Sequence, residues 1–318
     1  MTDDSDRHYF EKIEIETLFV LRTVDGKPGE HRGHLTLTPN NVSALAHQAV
    51  AEYPEEIRGR PFCLISRRSS PPETFTSAEH FVPEGLGFSW TKLPAGVGTC
   101  DRINAQFSAW ELEWLRFGSM GIYRPFYVGE GKGDSPKYYA PKMSSPLFSL
   151  ARDDDGARVI SLFSEGSLGL PDQAGAGTLT IRVPTSEANS TKVSLALHKM
   201  AYLCLWLAQK NLVLDRAFLG TVDFLLEPTE QNYRPFRERM LEGAAPGVDL
   251  KFLIRADGVH VALRAHHMLY YLTLVGEMPG DDFWDEEDIL KKWQPFGSPK
   301  LVLREISFGF SQKMKSRG

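Results

Sequence analysis

The chain has 318 residues, of which 42% are hydrophobic and 24% are charged, and its formal net charge is −5 at pH 7. This length allows one large domain or two medium ones, and the composition is that of an ordinary soluble globular protein. No stretch approaches the roughly 18 uncharged apolar residues that a membrane span requires, so no contact with a membrane is expected.

The cysteines and the N-terminus both bear on the compartment. Cys63, Cys100 and Cys204 are odd in number and widely spaced, which suits a reducing environment better than a disulfide framework. Residues 1–6, MTDDSD, are acidic and polar, unlike a secretory or mitochondrial leader. A cytoplasmic location is therefore expected.

Charge is unevenly distributed along the chain. Between residues 58 and 145 there are 11 Lys or Arg and 8 Asp or Glu, which gives 11 − 8 = +3, so the remainder carries −8. Phosphate binding needs a local basic face rather than a basic protein. The asymmetry is too modest to indicate nucleic acid by itself. The acidic remainder either faces a protein partner or keeps the chain soluble.

In chain order, residues 1–60 predict a small α+β lead-in. Its strands are predicted at 12–23 and 34–38, and Thr38-Pro39 forms a favourable start for a helix that runs to about residue 53. Residues 61–66 predict a short strand.

A helix is predicted over residues 105–117. Phe107, Trp110, Trp114 and Phe117 recur along it at the 3-4-3 spacing of one helix face. Such a stripe is typical of a buried face rather than of a surface on which bases stack.

The C-terminal half, residues 151–318, predicts a second α+β unit. The predicted elements are strands at 159–163 and 178–183, an apolar helix at 190–209, a hairpin at 248–264 that turns at Asp257-Gly258, and a strand at 268–275. Asp257-Gly258 is typical of a type I′ turn. Residues 281–288 are acidic and are expected to be solvated.

The most distinctive stretch is residues 77–111. It contains Glu79-His80 and Pro83, then Leu93-Pro94-Ala95-Gly96, and finally Cys100-Asp101-Arg102-Ile103-Asn104 with Phe107. This string resembles the HNH (ββα-metal) endonuclease family, in the bacterial subgroup that reads EHxxP…LPxGxxCDxCNxxF. A looser similarity to the subgroup covers about residues 60–280.

The resemblance implies an α+β chain with three parts. A ββα-metal module with its following loop would occupy residues 61–150. The N-terminal lead-in, residues 1–60, would precede it. A C-terminal α+β domain with antiparallel strands, residues 151–318, would follow it.

The family's chemistry maps onto individual residues of the motif. Adjacent strand residues point to opposite faces, so the acidic residue can face a metal while His faces the attacking water. The resemblance implies Glu79 as a metal ligand, His80 as the general base, and Asn104 as a second ligand or the residue that orients His80. A further ligand from the following helix would be Glu111 or Ser108.

The implied cofactor is one Mg²⁺ or Mn²⁺ ion, because these cations prefer oxygen ligands. Arg102 and Lys92 would contact the scissile phosphate. DNA is favoured over RNA as the substrate, in phage defence or mobile-element biology.

The structural zinc site of the subgroup is incomplete. Two CxxC pairs normally supply four thiolates, but here they read Cys63-Leu64-Ile65-Ser66 and Cys100-Asp101-Arg102-Ile103. Two thiolates do not close a tetrahedral site, so no structural zinc is expected. Cys63 and Cys100 are interpreted as a vestigial zinc site whose two thiols are buried side by side.

Three functional hypotheses follow from these patterns. The first is a divalent-metal-dependent HNH endonuclease that hydrolyses phosphodiester bonds in DNA. The second is a catalytically inactive HNH-like protein that acts as a nucleic-acid-binding or assembly subunit. The third is a structural or partner-binding protein. His198 lies on the apolar helix and is interpreted as a core histidine.

Overall fold

The computed structural model describes residues 31–116, 120–121, 124, 137–139, 146–152, 158–162, 189–240, 247–280 and 283. The strands are β1 (His31–Leu37), β2 (Phe62–Cys63), β3 (Val97–Gly98), β4 (Lys137–Tyr139), β5 (Pro146–Arg152), β6 (Arg158–Leu162), β7 (Phe236–Met240), β8 (Val248–Arg255), β9 (Gly258–Ala265) and β10 (Met268–Val275). The helices are α1 (Val42–Ala51), α2 (Asp101–Arg116), α3 (Ser190–Gln209) and α4 (Leu219–Leu226). Short 3₁₀ turns cover Glu84–Leu86, Lys210–Leu214 and Arg216–Phe218. The predicted α+β class is confirmed.

Among the described residues, the largest β element is a five-stranded antiparallel sheet with the order β1-β8-β9-β10-β7. Strand β1 comes from the predicted lead-in and pairs with β8, with Leu35 opposite Leu250. Leu250, Phe252 and Ile254 alternate along β8, so one face of the sheet is apolar. Helix α3 contacts β1, β8 and β10.

Helix α3 lies in the core. Every side chain from residue 193 to 207 is buried. The helix begins after Asn189, whose side-chain oxygen accepts from the backbone N–H of Lys192 at 3.0 Å, and it ends at Lys210, which has a φ of 48°. A helix that is apolar on all sides is expected in a core. A polar residue in its middle therefore has to be paired inside the protein.

The motif region is built from two short pairings and a helix. Strands β2 and β3 pair in parallel, with Cys63 opposite Gly98. An isolated antiparallel bridge joins His80 to Lys92. Helix α2 follows and contacts α3. The buried positions of α2 include Phe107 and Trp114, which confirms the predicted buried stripe at these two residues.

Several predicted elements are matched closely. The helix at 190–209 and the strand at 268–275 have the predicted bounds, and a hairpin joins β8 to β9. The predicted type I′ turn at Asp257-Gly258 is wrong. Its two loop residues are Ala256 and Asp257, and neither has the positive φ that a type I′ turn requires. The predicted strands at 12–23 and 178–183 lie outside the described residues.

Buried apolar residues from the motif and from the C-terminal half form one hydrophobic cluster. Hydrogen bonds cross the predicted boundary at residue 150. The Arg67 guanidinium donates to the backbone carbonyl oxygens of Val213 at 3.0 Å and of Leu214 at 3.3 Å. The Tyr202 hydroxyl donates to the backbone carbonyl oxygen of Leu64 at 3.2 Å. Among the described residues, no helix combines the length and apolar character needed to cross a membrane.

Candidate functional site

The short bridge at His80 fixes the directions of the first two motif residues. Leu93 N–H donates to Glu79 O at 2.8 Å and Phe81 N–H donates to Thr91 O at 3.3 Å, so His80 and Lys92 form a non-hydrogen-bonded pair. Their side chains therefore lie on the same face, and Glu79 points to the other. His80 is half-buried and Lys92 is exposed.

Glu79 points into the protein interior and is 1% exposed. Its Oε1 lies 2.5 Å from Nζ of Lys199, and its Oε2 accepts from the Thr99 hydroxyl. Oε1 of Glu111 lies 2.6 Å from the same Nζ. The structure thus brings together two of the predicted metal ligands, Glu79 and Glu111, around a lysine ammonium. We call Glu79, Glu111 and Lys199 the ion triad.

Burial and charge oppose each other in the ion triad. Burial alone would lower the pKa of Lys199, but the carboxylates of Glu111 and Glu79 outweigh it and hold that pKa above its ordinary value. Burial raises the pKa of Glu111 above its ordinary value, the charge of Lys199 opposes this rise, and the neighbouring charge of Glu79 adds to it. Lys199 Nζ also lies 5.3 Å from the centre of the Phe107 ring. The ammonium is therefore charged and held on several sides.

The ion triad does not fit a divalent cation as it is arranged. A metal ion would need the carboxylate oxygens that Lys199 and Thr99 already contact. Adding two positive charges beside a buried ammonium and two carboxylates would leave an uncompensated positive charge in the interior. Within the described part of the chain, no group of three or more His, Cys, Asp or Glu side chains is arranged to hold a metal ion.

Asn104 belongs to a different set of contacts. It lies in the first turns of α2, where its amide donates to the Ser77 hydroxyl at 3.3 Å. The Ser77 hydroxyl in turn donates to Asp101 at 2.6 Å. The other alternative ligand, Ser108, donates to the Asn104 carbonyl at 2.9 Å.

Hydrogen bonds to the Asp101 carboxylate connect the start of α2 to the segment that precedes Glu79. Its carboxylate accepts from the backbone N–H groups of Thr76 at 3.0 Å and of Ser77 at 2.8 Å, and from both of their hydroxyls. The Ser77 hydroxyl, followed by these N–H groups, holds the pKa of Asp101 well below its usual range. Asp101 thus sets the position of Asn104 relative to the bridge.

The two predicted phosphate contacts lie at the surface. Lys92 is exposed. The Arg102 side chain is 57% exposed and donates to Oε1 of Glu73 at 2.9 Å. Arg102 therefore has a carboxylate partner, and it would have to exchange or share that partner to contact a phosphate.

The structure places Cys63 and Cys100, the two residues of the predicted vestigial zinc site, beside each other. Both are fully buried, and Ser66 N–H donates to Cys63 Sγ at 3.3 Å. Burial alone would raise the pKa of Cys63, but the hydrogen bonds from Cys100 and Ser66 lower it to about 6. The contact with Cys63 and burial raise the pKa of Cys100. Ile103, at the fourth position, is also fully buried.

His198 is a core histidine, as interpreted. Its Nδ1 lies 2.8 Å from the Ser194 carbonyl oxygen, and its ring packs edge-on against Phe224 at 5.4 Å. Burial lowers the pKa of His198 to about 4, so the ring is neutral at pH 7.

Lys199 and Thr99 were missed at the sequence level. One signal was available for Lys199: it is the only charged residue between positions 193 and 207 of an otherwise apolar helix. A lysine in that setting requires carboxylate partners. Thr99 carries no comparable signal, because it follows a glycine in an irregular segment. No family model, no curated protein and no solved structure matches this chain.

Proposed function

We propose that residues 61–116 form an HNH-like ββα module in which a lysine ammonium has replaced the catalytic metal, and that the chain is a nucleic-acid-binding subunit without nuclease turnover. The antiparallel bridge at His80, followed by α2 with Asn104 near its start, supports the ββα arrangement. The adjacency of Cys63 and Cys100 supports the same alignment.

One observation carries the proposal. Lys199 Nζ lies 2.5 Å from Glu79 and 2.6 Å from Glu111, and its side chain is 1% exposed. The acidic residue on which a metal-dependent nuclease would depend is therefore neutralised from within the protein. An internal ammonium can hold these carboxylates in place, but it does not activate a water molecule as a divalent cation does.

Residues suited to phosphate remain at the surface. Lys92 is exposed beside His80, and Arg102 is 57% exposed at the start of α2. Phosphate contacts require only a positive charge that can reach the backbone of the nucleic acid. This combination favours binding over hydrolysis.

Binding and cleavage should be measured on the full chain with duplex and single-stranded DNA, in Mg²⁺ and in Mn²⁺. We expect no cleavage, and binding that weakens as salt concentration rises. Lys92→Ser should weaken binding and reduce the slope of log affinity against log salt by about 1. Lys192→Ser is the matched control, because Lys192 is 45% exposed outside the module. Absence of DNA binding by the wild-type chain would refute the proposal.

An active endonuclease is the second candidate. The half-buried position of His80 directly opposite exposed Lys92 favours it, because a general base must reach solvent and substrate. Cleavage that is lost in His80→Ala and retained in His47→Ala would establish this candidate and overturn the first. His47 lies on α1, outside the module, and its ring contacts Ser43 of the same helix.

A further inference from the structure

The three cysteines of the chain divide into a pair and a single residue. Cys63 lies on β2 and Cys100 immediately precedes α2. The pairing of β2 with β3 brings them together, because Cys63 lies opposite Gly98 and the Leu64 N–H donates to the Gly98 carbonyl oxygen at 2.8 Å. Cys204 lies apart from them on α3. All three are free thiols and fully buried.

The two sulfurs of the pair have different protonation states. Burial alone would raise the pKa of Cys63, but its contacts with Cys100 and Ser66 lower it to about 6. The contact with Cys63, followed by burial, raises the pKa of Cys100. At pH 7 the pair therefore holds one thiolate and one thiol. A thiolate can attack an oxidant, and a second thiol beside it can then close a disulfide.

Glu73 provides a proton acceptor beside the pair. Its side chain is buried and contacts Cys100, and the Arg102 guanidinium donates to its Oε1 at 2.9 Å. Burial opposes ionisation of Glu73, but the contacts with Arg102 and Cys100 outweigh it and hold the pKa of Glu73 below its ordinary value. The carboxylate is therefore ionised at pH 7, and it can accept the proton that Cys100 must lose when its sulfur attacks.

We propose that Cys63 and Cys100 form a reversible disulfide in the folded protein when hydrogen peroxide reaches them. Peroxide is small enough to reach a buried sulfur during local opening. A disulfide of this kind also suits a reducing environment, where such bonds are transient. This inference does not depend on the proposed function.

The oxidation has two steps. The Cys63 thiolate attacks one peroxide oxygen, the O–O bond breaks, and the hydroxide that leaves takes a proton from solvent to become water. The Cys100 sulfur then attacks the sulfur of the resulting sulfenic acid, and the S–O bond breaks. The hydroxyl leaves as water with the Cys100 proton, which passes through Glu73. The two sulfurs lose two electrons in total, and one peroxide is reduced to two water molecules.

The disulfide would close a loop that contains Glu79, His80 and Lys92. A cross-link stabilises a protein mainly by restricting its unfolded chain. We therefore expect oxidation to raise the midpoint of thermal unfolding by about 3–8 °C, and a dithiol reductant to reverse the rise. An unchanged midpoint in the cross-linked chain would contradict this stabilising role.

Peptide mapping of the full reduced chain tests the proposal. The chain is treated with peroxide, the reaction is stopped with catalase, and remaining thiols are alkylated in denaturant before digestion and mass spectrometry. We expect a cross-link between Cys63 and Cys100, and oxidation of Cys204 that is at least about tenfold slower. The same treatment in urea should also give cross-links to Cys204. If the folded chain forms no cross-link, or Cys204 reacts as fast as Cys63, the proposal fails.

Variants assign the two steps. In Cys100→Ser the sulfenic acid of Cys63 should persist and be captured by dimedone, whereas Cys63→Ser should give neither capture nor cross-link. Glu73→Gln should slow closure of the disulfide, and Glu55→Gln, at an exposed position, should not. Cys204→Ser is the matched control and should keep the cross-link. Capture in Cys63→Ser at the rate of Cys100→Ser would overturn the assignment of Cys63 as the attacking sulfur.

Discussion

Trp114 of α2 donates its indole N–H to the hydroxyl of Tyr270 on β10 at 3.0 Å, and both residues are buried. Their rings also meet edge to face at 5.7 Å. This pair joins the helix of the motif to the sheet of the C-terminal half. Unfolding of one half should therefore expose apolar surface and a buried N–H in the other.

Replacing Tyr270 with Phe removes the acceptor and leaves the Trp114 N–H buried without it. We expect the free energy of unfolding to fall by about 1–3 kcal/mol. Urea unfolding followed by tryptophan fluorescence and by circular dichroism should give one coincident transition. Tyr233→Phe is the control, because Tyr233 is 37% exposed. Two separate transitions would mean that the halves fold independently.

Removing the ammonium of the ion triad should be far more damaging. Lys199→Met leaves the Glu79 and Glu111 carboxylates buried without their cation, and breaking a buried pair in this way costs about 3–5 kcal/mol. Chemical unfolding at pH 7 measures the loss. Lys192→Met, at a half-exposed position of the same helix where Nζ lies 3.8 Å from Glu113, should change stability by less than about 1 kcal/mol.

The same variant has a predictable pH dependence. Burial already raises the pKa of Glu111, and Lys199 opposes that rise, so removing Lys199 should raise the folded-state pKa of Glu111 further above its unfolded value. Protonation then favours the folded state. The loss of unfolding free energy in Lys199→Met, relative to wild type, should therefore shrink as the pH falls from 7 towards 5. The triple variant Lys199→Met/Glu79→Gln/Glu111→Gln should recover much of the stability at pH 7. A deficit independent of pH would argue against the ion triad.

Asp101 should account for part of the stability that is lost in acid. Its pKa is lowered on folding, so its contribution is present above the unfolded value of 3.8 and is lost as the pH falls through the lower folded value. Asp101→Asn should therefore be less stable than wild type at pH 7, and the difference should narrow below about pH 4. Urea titrations from pH 7 to pH 2.5 give this comparison. A difference in unfolding free energy that stays constant from pH 7 to pH 2.5 would contradict this role of Asp101.

Local hydrophobic patterns were sufficient to predict the bounds of helices and strands whose side chains are mostly buried. Helix 190–209 and strand 268–275 are mostly apolar, and both have the predicted bounds. The motif also predicted that Glu79 and His80 would point in opposite directions, because strand side chains alternate.

The same local patterns could not predict which residues that are far apart in sequence would contact each other. The sequence around Glu79 is as consistent with a metal ligand as with an ion pair, because the choice is made by Lys199, 120 positions further along the chain. Likewise, β1 is separated from its partner β8 by more than 200 residues. In the same way, Asp249 and Arg264 become neighbours only after β8 and β9 have been placed in register.

The thiol pair Cys63 and Cys100 allows the family alignment to be tested by restoring the missing zinc ligands. Ser66 lies beside Cys63, with its N–H 3.3 Å from the sulfur, and Ile103 is fully buried one helical turn after Cys100. The double variant Ser66→Cys/Ile103→Cys would complete two CxxC pairs. We expect it to bind one zinc ion per chain with four thiolates.

Zinc content and thermal unfolding with and without a chelator distinguish the outcomes. A chelator should leave the wild-type midpoint unchanged to within about 1 °C, because two thiolates do not close a tetrahedral site. It should lower the midpoint of the double variant, because bound zinc contributes directly to folding. Ser66→Cys alone, with three thiolates, should bind zinc more weakly. If the double variant takes up no zinc, the four positions do not converge as in the HNH subgroup. The alignment of Glu79, His80 and Asn104 with that family would then lose its independent support.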